Sequence, residues 1–194
     1  MNPSRKKGYT TRFFKTKEEA VAHLCAALNG KKIGFGGSAT LHELGLFEAL
    51  SEHNTVLWHW RIPQGETADE LRRKAALCPI YFTSANAISE DGKIVNIDGT
   101  SNRVAAYLYG KEKVYFVCGT NKLCPDEESA VARARNVAAP TNAARLGLDT
   151  PCAKTLSCHD CKSKSRICRA LNVLWEKPTG ADMELILIDE ALGY

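Results

Sequence analysis

Short apolar runs alternating with helix-length segments constrain this chain more than any other feature. KKIGFGG, NTVLWHW, PIYFTSAN, KVYFVCG and MELILIDEALGY read as strands, each rich in apolar or β-prone residues and bounded by glycine, proline or small polar residues. Between them, TKEEAVAHLCAALNG predicts a helix that opens on a capping box from Thr16 to Glu19 and stops at Asn29-Gly30. SATLHELGLFEAL keeps helical spacing through Leu41, Leu44, Phe47 and Leu50, and TADELRRKAALC opens on a second capping box, Thr67 to Glu70. SNRVAAYLYG predicts a short helix, and DEESAVARARNVAAPTNAARLG a helix broken or kinked before Pro140. ISEDGKIVNID, with its turn at Glu90-Asp91-Gly92, predicts a hairpin. Strands alternating with helices in this way imply an α/β domain with a largely parallel sheet.

One such domain accounts for residues 1–194, since no repeat or low-complexity linker divides the chain. A hydrophobic share of 44% and a charged share of 25% argue against disorder and coiled coil. The formal charge of +4 suits an anionic small molecule and is too mild to point to nucleic acid. MNPSRKKGYTTRFF has no apolar stretch behind its positive charges, so it is not read as a secretory signal, and no run reaches the length of a membrane span. The expected location is the cytoplasm, where thiols stay reduced. The apolar content is compatible with a homodimer without requiring one.

Ligands bind beyond the carboxyl ends of the strands in open α/β sheets. Those ends read Gly34-Phe35-Gly36-Gly37-Ser38-Ala39-Thr40, Thr83-Ser84-Ala85-Asn86, Asp98-Gly99-Thr100-Ser101-Asn102-Arg103 and Gly119-Thr120-Asn121-Lys122. They offer backbone N–H groups, hydroxyls and two cations. The glycine loop leads into a helix, where free N–H groups and the dipole favour an anion, so Gly36, Gly37, Ser38 and Thr40 are candidate ligand-binding residues. A bare tight turn explains the same glycines. The loop is neither a Walker loop nor a full GxGxxG fingerprint. Arg103, beside Asn102 at a helix start, either clamps a carboxylate or phosphate with its planar fork or pairs with Asp98. Glu43 faces the pocket as a general base or is a solvated carboxylate, the plainer reading. His23, His42, His53 and His59 show no ligand spacing and read as surface or packing residues. No catalytic residue is assigned.

The blocks GFGGSATLHELGL, ISEDGKIVNIDGTSNRVAAYLYG, KVYFVCGTNK, RARNVAAPTNAARLG and ILIDEALGY together resemble the LUD-domain family, the LutC/YkgG-like lactate utilization proteins related to the C component of the LutABC system. The resemblance implies a Rossmann-like α/β fold similar to the sugar-phosphate isomerase and CoA-transferase superfamily, whose members bind phosphorylated sugars, folates or CoA esters near the loop that corresponds to GGSAT. It also implies a part in oxidising L-lactate, a 2-hydroxy acid, to pyruvate beside iron–sulfur partner subunits. Gly36, Gly37, Ser38, Asn102 and Arg103 fall within the matching blocks. Two alternatives stand beside that function. One is a non-catalytic ligand-binding or assembly subunit with a structural zinc site, the other an enzyme of the superfamily acting on a sugar phosphate or CoA ester.

The eight cysteines divide into two sets. Cys25, Cys78, Cys118 and Cys124 lie in apolar segments and read as small buried hydrophobes. Cys152, Cys158, Cys161 and Cys168 share one loop, 150–170, placed before the last strand. In a reducing compartment this spacing argues against disulfides and leaves a metal centre, a bare CxxC redox pair or incidental thiols. A single CxxC knuckle is weak for a zinc ribbon, whereas a [4Fe–4S] cluster accepts uneven spacing, so the cluster is favoured over Zn. Lys154, Lys162, Lys164 and Arg166 against Asp160 would offset the charge of four thiolates. His159 is a minor candidate to replace one thiol. A cysteine-bearing segment of this kind is also what the resemblance implies.

Overall fold

The computed structural model describes residues 7–194. The first six residues of the basic N-terminal stretch, on which part of the secretion reading rests, lie outside them. In chain order the elements are β1 (Thr10–Phe14), α1 (Lys17–Ala27), β2 (Lys32–Phe35), α2 (Ala39–Glu43), α3 (Leu46–Ser51), β3 (Thr55–Trp58), α4 (Ala68–Ala76), β4 (Ile80–Thr83), β5 (Ala87–Ser89), β6 (Ile94–Asp98), α5 (Asn102–Leu108), β7 (Lys113–Gly119), a 3-10 turn (Thr120–Lys122) and β8 (Leu123–Cys124). They continue with α6 (Glu127–Arg133), a π turn (Ala134–Ala138), α7 (Ala139–Arg145), α8 (Pro151–Thr155), β9 (Ala170–Leu174) and β10 (Asp182–Ile188).

Six strands form a fully parallel sheet in the order β1-β10-β7-β4-β2-β3. Its central strands are buried on both faces because they alternate between two cores. On β4 and β7, Ile80, Phe82, Tyr115 and Val117 join Leu24, Leu41, Leu46 and Leu50 of α1, α2 and α3. Their neighbours Tyr81, Val114, Phe116 and Cys118 join Ala75 of α4 and Val104 and Tyr107 of α5 on the other face. A strand period of two thus feeds both layers, and each large side chain buried in this way stabilises the fold by roughly 1.5–3 kcal/mol.

A second sheet, β8-β5-β6-β9, lies beside the first. Its hairpin β5–β6 is the one expected at Glu90-Asp91-Gly92. Ile88, Ile94 and Leu174 pack it on the α5 side, while Ala87, Val95 and Cys124 take Ala130 and Ala134 of α6 and the π turn on the opposite face. The cysteine loop therefore leads into β9, the edge of this small sheet, before the chain reaches β10. Cys78, Cys118 and Cys124 are buried, as the apolar reading requires, whereas Cys25 on α1 is only half-buried.

Local chemistry accounts for the element ends. The Thr67–Glu70 capping box closes in both directions. At α1, Thr16 accepts from the Glu19 amide, but the Glu19 carboxylate takes the Lys15 N–H at 3.0 Å instead of completing the box. The helix expected through Leu50 is two helices, because Gly45 sits at φ +61° between them. The break expected before Pro140 takes the form of the π turn, which absorbs the missing proline N–H. Gly34 faces α4, and an added Cβ would overlap the Ala75 carbonyl oxygen. Gly34→Ala is expected to destabilise the protein by roughly 3 kcal/mol or more through this backbone clash, read as a lowered denaturant midpoint.

Candidate functional site

The strand order reverses between β2 and β4: from β2 the chain steps to β3 at the edge, then returns to place β4 on the other side. The crevice outside the carboxyl ends at such a switch point is the usual ligand position. There the structure opens a cavity of about 230 Å³, and all the expected residues but Gly36 line it: Gly37, Ser38, Thr40, Asn102 and Arg103.

The two glycines are explained by space and not by turn geometry, for neither has a positive φ. A Cβ on Gly36 would stand 3.0 Å from Arg103 Cγ, and one on Gly37 would stand 3.2 Å from His59 Nε2. Ser38 caps α2, accepting the Leu41 N–H at 3.2 Å. Since α2 is only five residues long, it adds little dipole, and charge in the cavity comes from side chains.

Arg103 forms the Asp98 ion pair that stood as one of its two readings, at 3.3 Å, with both side chains about one-tenth exposed. Its remaining bonds go to Asn96 Oδ1 at 2.8 Å, Ser84 O at 3.1 Å and Ile97 O at 3.0 Å. Four of its five N–H groups are thus spent on the protein, so it is not an open fork. Glu43 is exposed, does not line the cavity, and accepts the Gly193 N–H at 2.7 Å.

Other cations line the cavity. Lys122, on the 3-10 turn after β7, is 3% exposed and donates to Thr40 Oγ1 at 2.7 Å and Ser84 Oγ at 2.9 Å. Burial is the main cause that pushes its ammonium down to about 8, with Arg133 and Arg103 adding to the effect against Cys118 and Glu43. Arg72 and Arg145 also line the cavity; Arg145 lies 5.0 Å over the Trp60 ring and donates to Tyr194 Oη at 2.9 Å. Among the described residues, none of these three cations has a carboxylate within ion-pair distance. His59, read from sequence as a packing residue, is half-buried in the same wall; burial, then Arg72, lowers it to about 4, so it is neutral at pH 7. Its Nδ1 has no hydrogen-bond partner among the described residues. Lys122 was legible as a polar strand end, but Arg72, Arg145, His59 and Trp60 carry no local motif.

A second cavity, about 270 Å³, is lined by Cys152, Cys158 and Cys168 together with Arg135, Asp160, Arg166 and Arg169. Cys161 is not part of its wall. Cys158 Sγ accepts the Asp160 N–H at 3.5 Å, Cys152 Sγ lies 3.3 Å from Thr150 Oγ1, and His159 Nε2 lies 2.7 Å from Thr155 Oγ1. Among the described residues, no three His, Cys, Asp or Glu side chains are gathered closely enough to hold a metal ion. The donor chemistry fits a thiolate-bound metal, but the four sulfurs are not assembled around one point. The two cavities share Ile97 and Ala139 as wall residues.

Fold and site together define a Rossmann-like α/β protein with a positively charged cavity at the carboxyl edge of a parallel sheet. The chain belongs to the LUD domain family, whose model matches residues 2–188, and so carries a lactate-utilization-type domain. Its fold is similar to that of a DUF162 family protein from Deinococcus radiodurans, with a TM-score of 0.54 at 13% identity over 96% of this chain and 92% of that one. A weaker similarity, TM-score 0.38 at 22% identity, links 60% of this chain to 50% of eIF2B delta from Chaetomium thermophilum. No curated protein matches the sequence. No helix among the described residues is long and apolar enough to cross a membrane.

Replacing Arg103 with Met leaves Asp98 buried and unpaired. The expected loss is roughly 3–5 kcal/mol in denaturant-derived stability, with Asp98→Asn costing less because the amide still accepts from the guanidinium.

Proposed function

We propose that this chain is a lactate-utilization subunit that binds a small 2-hydroxy or 2-oxo carboxylate in the switch-point cavity and takes part in oxidising L-lactate to pyruvate beside iron–sulfur partner subunits. The observation that carries the reading is the group of cations without carboxylate partners, Lys122, Arg72 and Arg145, around a polar cavity of about 230 Å³. An uncompensated positive cavity at this depth favours an anion. The neutral His59 ring and the Ser38, Thr40 and Asn102 side chains supply hydrogen-bonding groups for a hydroxyl or carbonyl oxygen beside the carboxylate.

L-Lactate titrated by calorimetry tests this reading. Affinity is expected to hold below about pH 8 and to fall as pH rises through that value, because the Lys122 ammonium loses its proton there. Lys122→Met is expected to weaken binding roughly tenfold, about 1.4 kcal/mol, and to remove the pH step. Absence of lactate binding at any pH would overturn the proposal.

The cysteine loop is proposed to hold a [4Fe–4S] cluster through Cys152, Cys158, Cys161 and Cys168, with Zn on the same thiols as the alternative. Three of the thiols already share one cavity wall, and Arg135, Arg166 and Arg169 around them would offset thiolate charge. Such a cluster supplies one-electron carriage. Protein purified without oxygen is expected to be brown, with broad absorbance near ~400 nm that is lost in Cys158→Ser and Cys161→Ser. Colourless protein with stoichiometric zinc would establish the alternative, and folded protein without either metal would remove both.

A further inference from the structure

Of the three cations in the switch-point cavity that lack a carboxylate partner among the described residues, only Lys122 can become a neutral nucleophile, since a guanidinium keeps its proton at any pH the protein survives. Its setting is unusual for a lysine with a purely structural role. A buried ammonium is ordinarily held by a carboxylate, and here it is held by two hydroxyls, Thr40 Oγ1 at 2.7 Å and Ser84 Oγ at 2.9 Å. Those hydroxyls are themselves linked at 3.4 Å, and Ser84 Oγ lies 3.4 Å from Cys118 Sγ. Lys122 is 3% exposed yet lines the cavity, so the little surface it has is turned to the ligand space.

We propose that Lys122 condenses reversibly with the C2 carbonyl of a 2-oxo acid held in this cavity, the Thr40 and Ser84 hydroxyls relaying protons. The inference rests on the reading of the cavity as a small-carboxylate site. The neutral Nζ attacks the carbonyl carbon; the new C–N bond forms as the carbonyl electron pair moves to oxygen, which takes a proton to give the carbinolamine. The nitrogen gives up one proton in reaching that carbinolamine; the hydroxyl then takes a second proton through the Thr40 and Ser84 relay and leaves as water while the nitrogen lone pair closes the iminium. Amine, oxo acid and one proton become iminium and water, with no oxidant or reductant required. Arg72 and Arg145, in the same wall, would hold the carboxylate.

The charged and titratable groups facing Lys122 are Cys118 on β7, Arg103 on α5, Arg133 on α6 and Glu43 on α2. Burial together with the two arginines raises the share of free amine near neutral pH, as in desolvated catalytic lysines.

The experiment is borohydride trapping of the full chain with pyruvate, followed by peptide mapping. Lactate, which has a hydroxyl in place of the C2 carbonyl, serves as the control. The expected result is a reduced adduct on Lys122, formed faster as pH rises toward about 8 and absent with lactate. Lys122→Arg, which keeps a cation, is expected to cut trapping roughly tenfold or more while circular dichroism stays unchanged. Lactate binding without any pyruvate adduct on Lys122 would overturn the inference and leave the carboxylate site standing. Absence of both binding and adduct would overturn the two together, and an adduct spread over surface lysines at equal yield would overturn the inference alone.

Discussion

The Arg103 guanidinium is the knot that holds the two sheets of this protein in register. It bonds at once to the end of β4 through Ser84 O, to β6 through Asn96 and Ile97 O, and to the Asp98 carboxylate, all from the first turn of α5. Asp98 extends the knot: its carboxylate accepts the Ser101 N–H at 2.9 Å and its carbonyl accepts the Arg169 N–H at 3.1 Å. Asn86, just after β4, adds a second tie to β6: its N–H donates to Val95 O at 3.0 Å and its Oδ1 accepts the Ile97 N–H at 2.7 Å. The cavity between the carboxyl ends of β4 and β6 depends on their separation. A buried ion pair contributes little net stability over an apolar packing, but losing one partner is costly, and this asymmetry fixes the geometry.

The same region carries charge that the fold does not neutralise. Lys122 is lowered from the ordinary 10.5 to about 8, so the folded chain gives up this proton before the unfolded chain does. Between those values the unfolded state binds more protons, and the contribution of Lys122 to stability becomes more favourable as pH rises through the window. Below about 8 both states carry the charge, and the folded protein bears its desolvation cost. Binding sites commonly trade stability for function in this way, and an anion seated among Lys122, Arg72 and Arg145 would recover part of that cost.

Much of the scaffold was legible because it rests on local signals. Short apolar runs marked β2, β3, β4, β7 and β10, and the Glu90-Asp91-Gly92 turn marked the hairpin. β1, β8 and β9 were not legible. TTRFF is an edge strand with a mostly exposed pattern, Leu123–Cys124 is only two residues long, and ALNVL follows directly on the cysteine loop, so each is specified by a distant partner strand. At the site, the glycine loop and the polar strand ends pointed to the crevice where the switch-point cavity opens. The tight-turn alternative for the glycines does not hold: Gly36 and Gly37 leave room for Arg103 and His59, and neither has a positive φ. Arg72 and Arg145 reach the cavity from α4 and α7, elements whose sequences read as ordinary amphipathic helices, and only the packing of both on one edge brings the cations together.

The cysteine loop cannot be treated as an appendage to this arrangement. Ile97 and Ala139 stand in the walls of both cavities, and the Gly99 backbone lies so close to Ile167 that an added Cβ would sit 3.0 Å from its carbonyl oxygen. Cys168 is followed at once by Arg169, whose N–H holds the Asp98 carbonyl, while the carboxylate of the same Asp98 holds Arg103. A displacement at Cys168 therefore reaches the guanidinium knot through one residue and two bonds. Anything seated among the thiols lies one wall residue from anything seated among Lys122, Arg72 and Arg145. It follows that a change in carboxylate binding after substitution at Cys168 does not by itself establish an electronic link between the sites. The same change would arise from loosening Asp98, and only the thiols further from that contact, Cys152 and Cys158, separate the two causes.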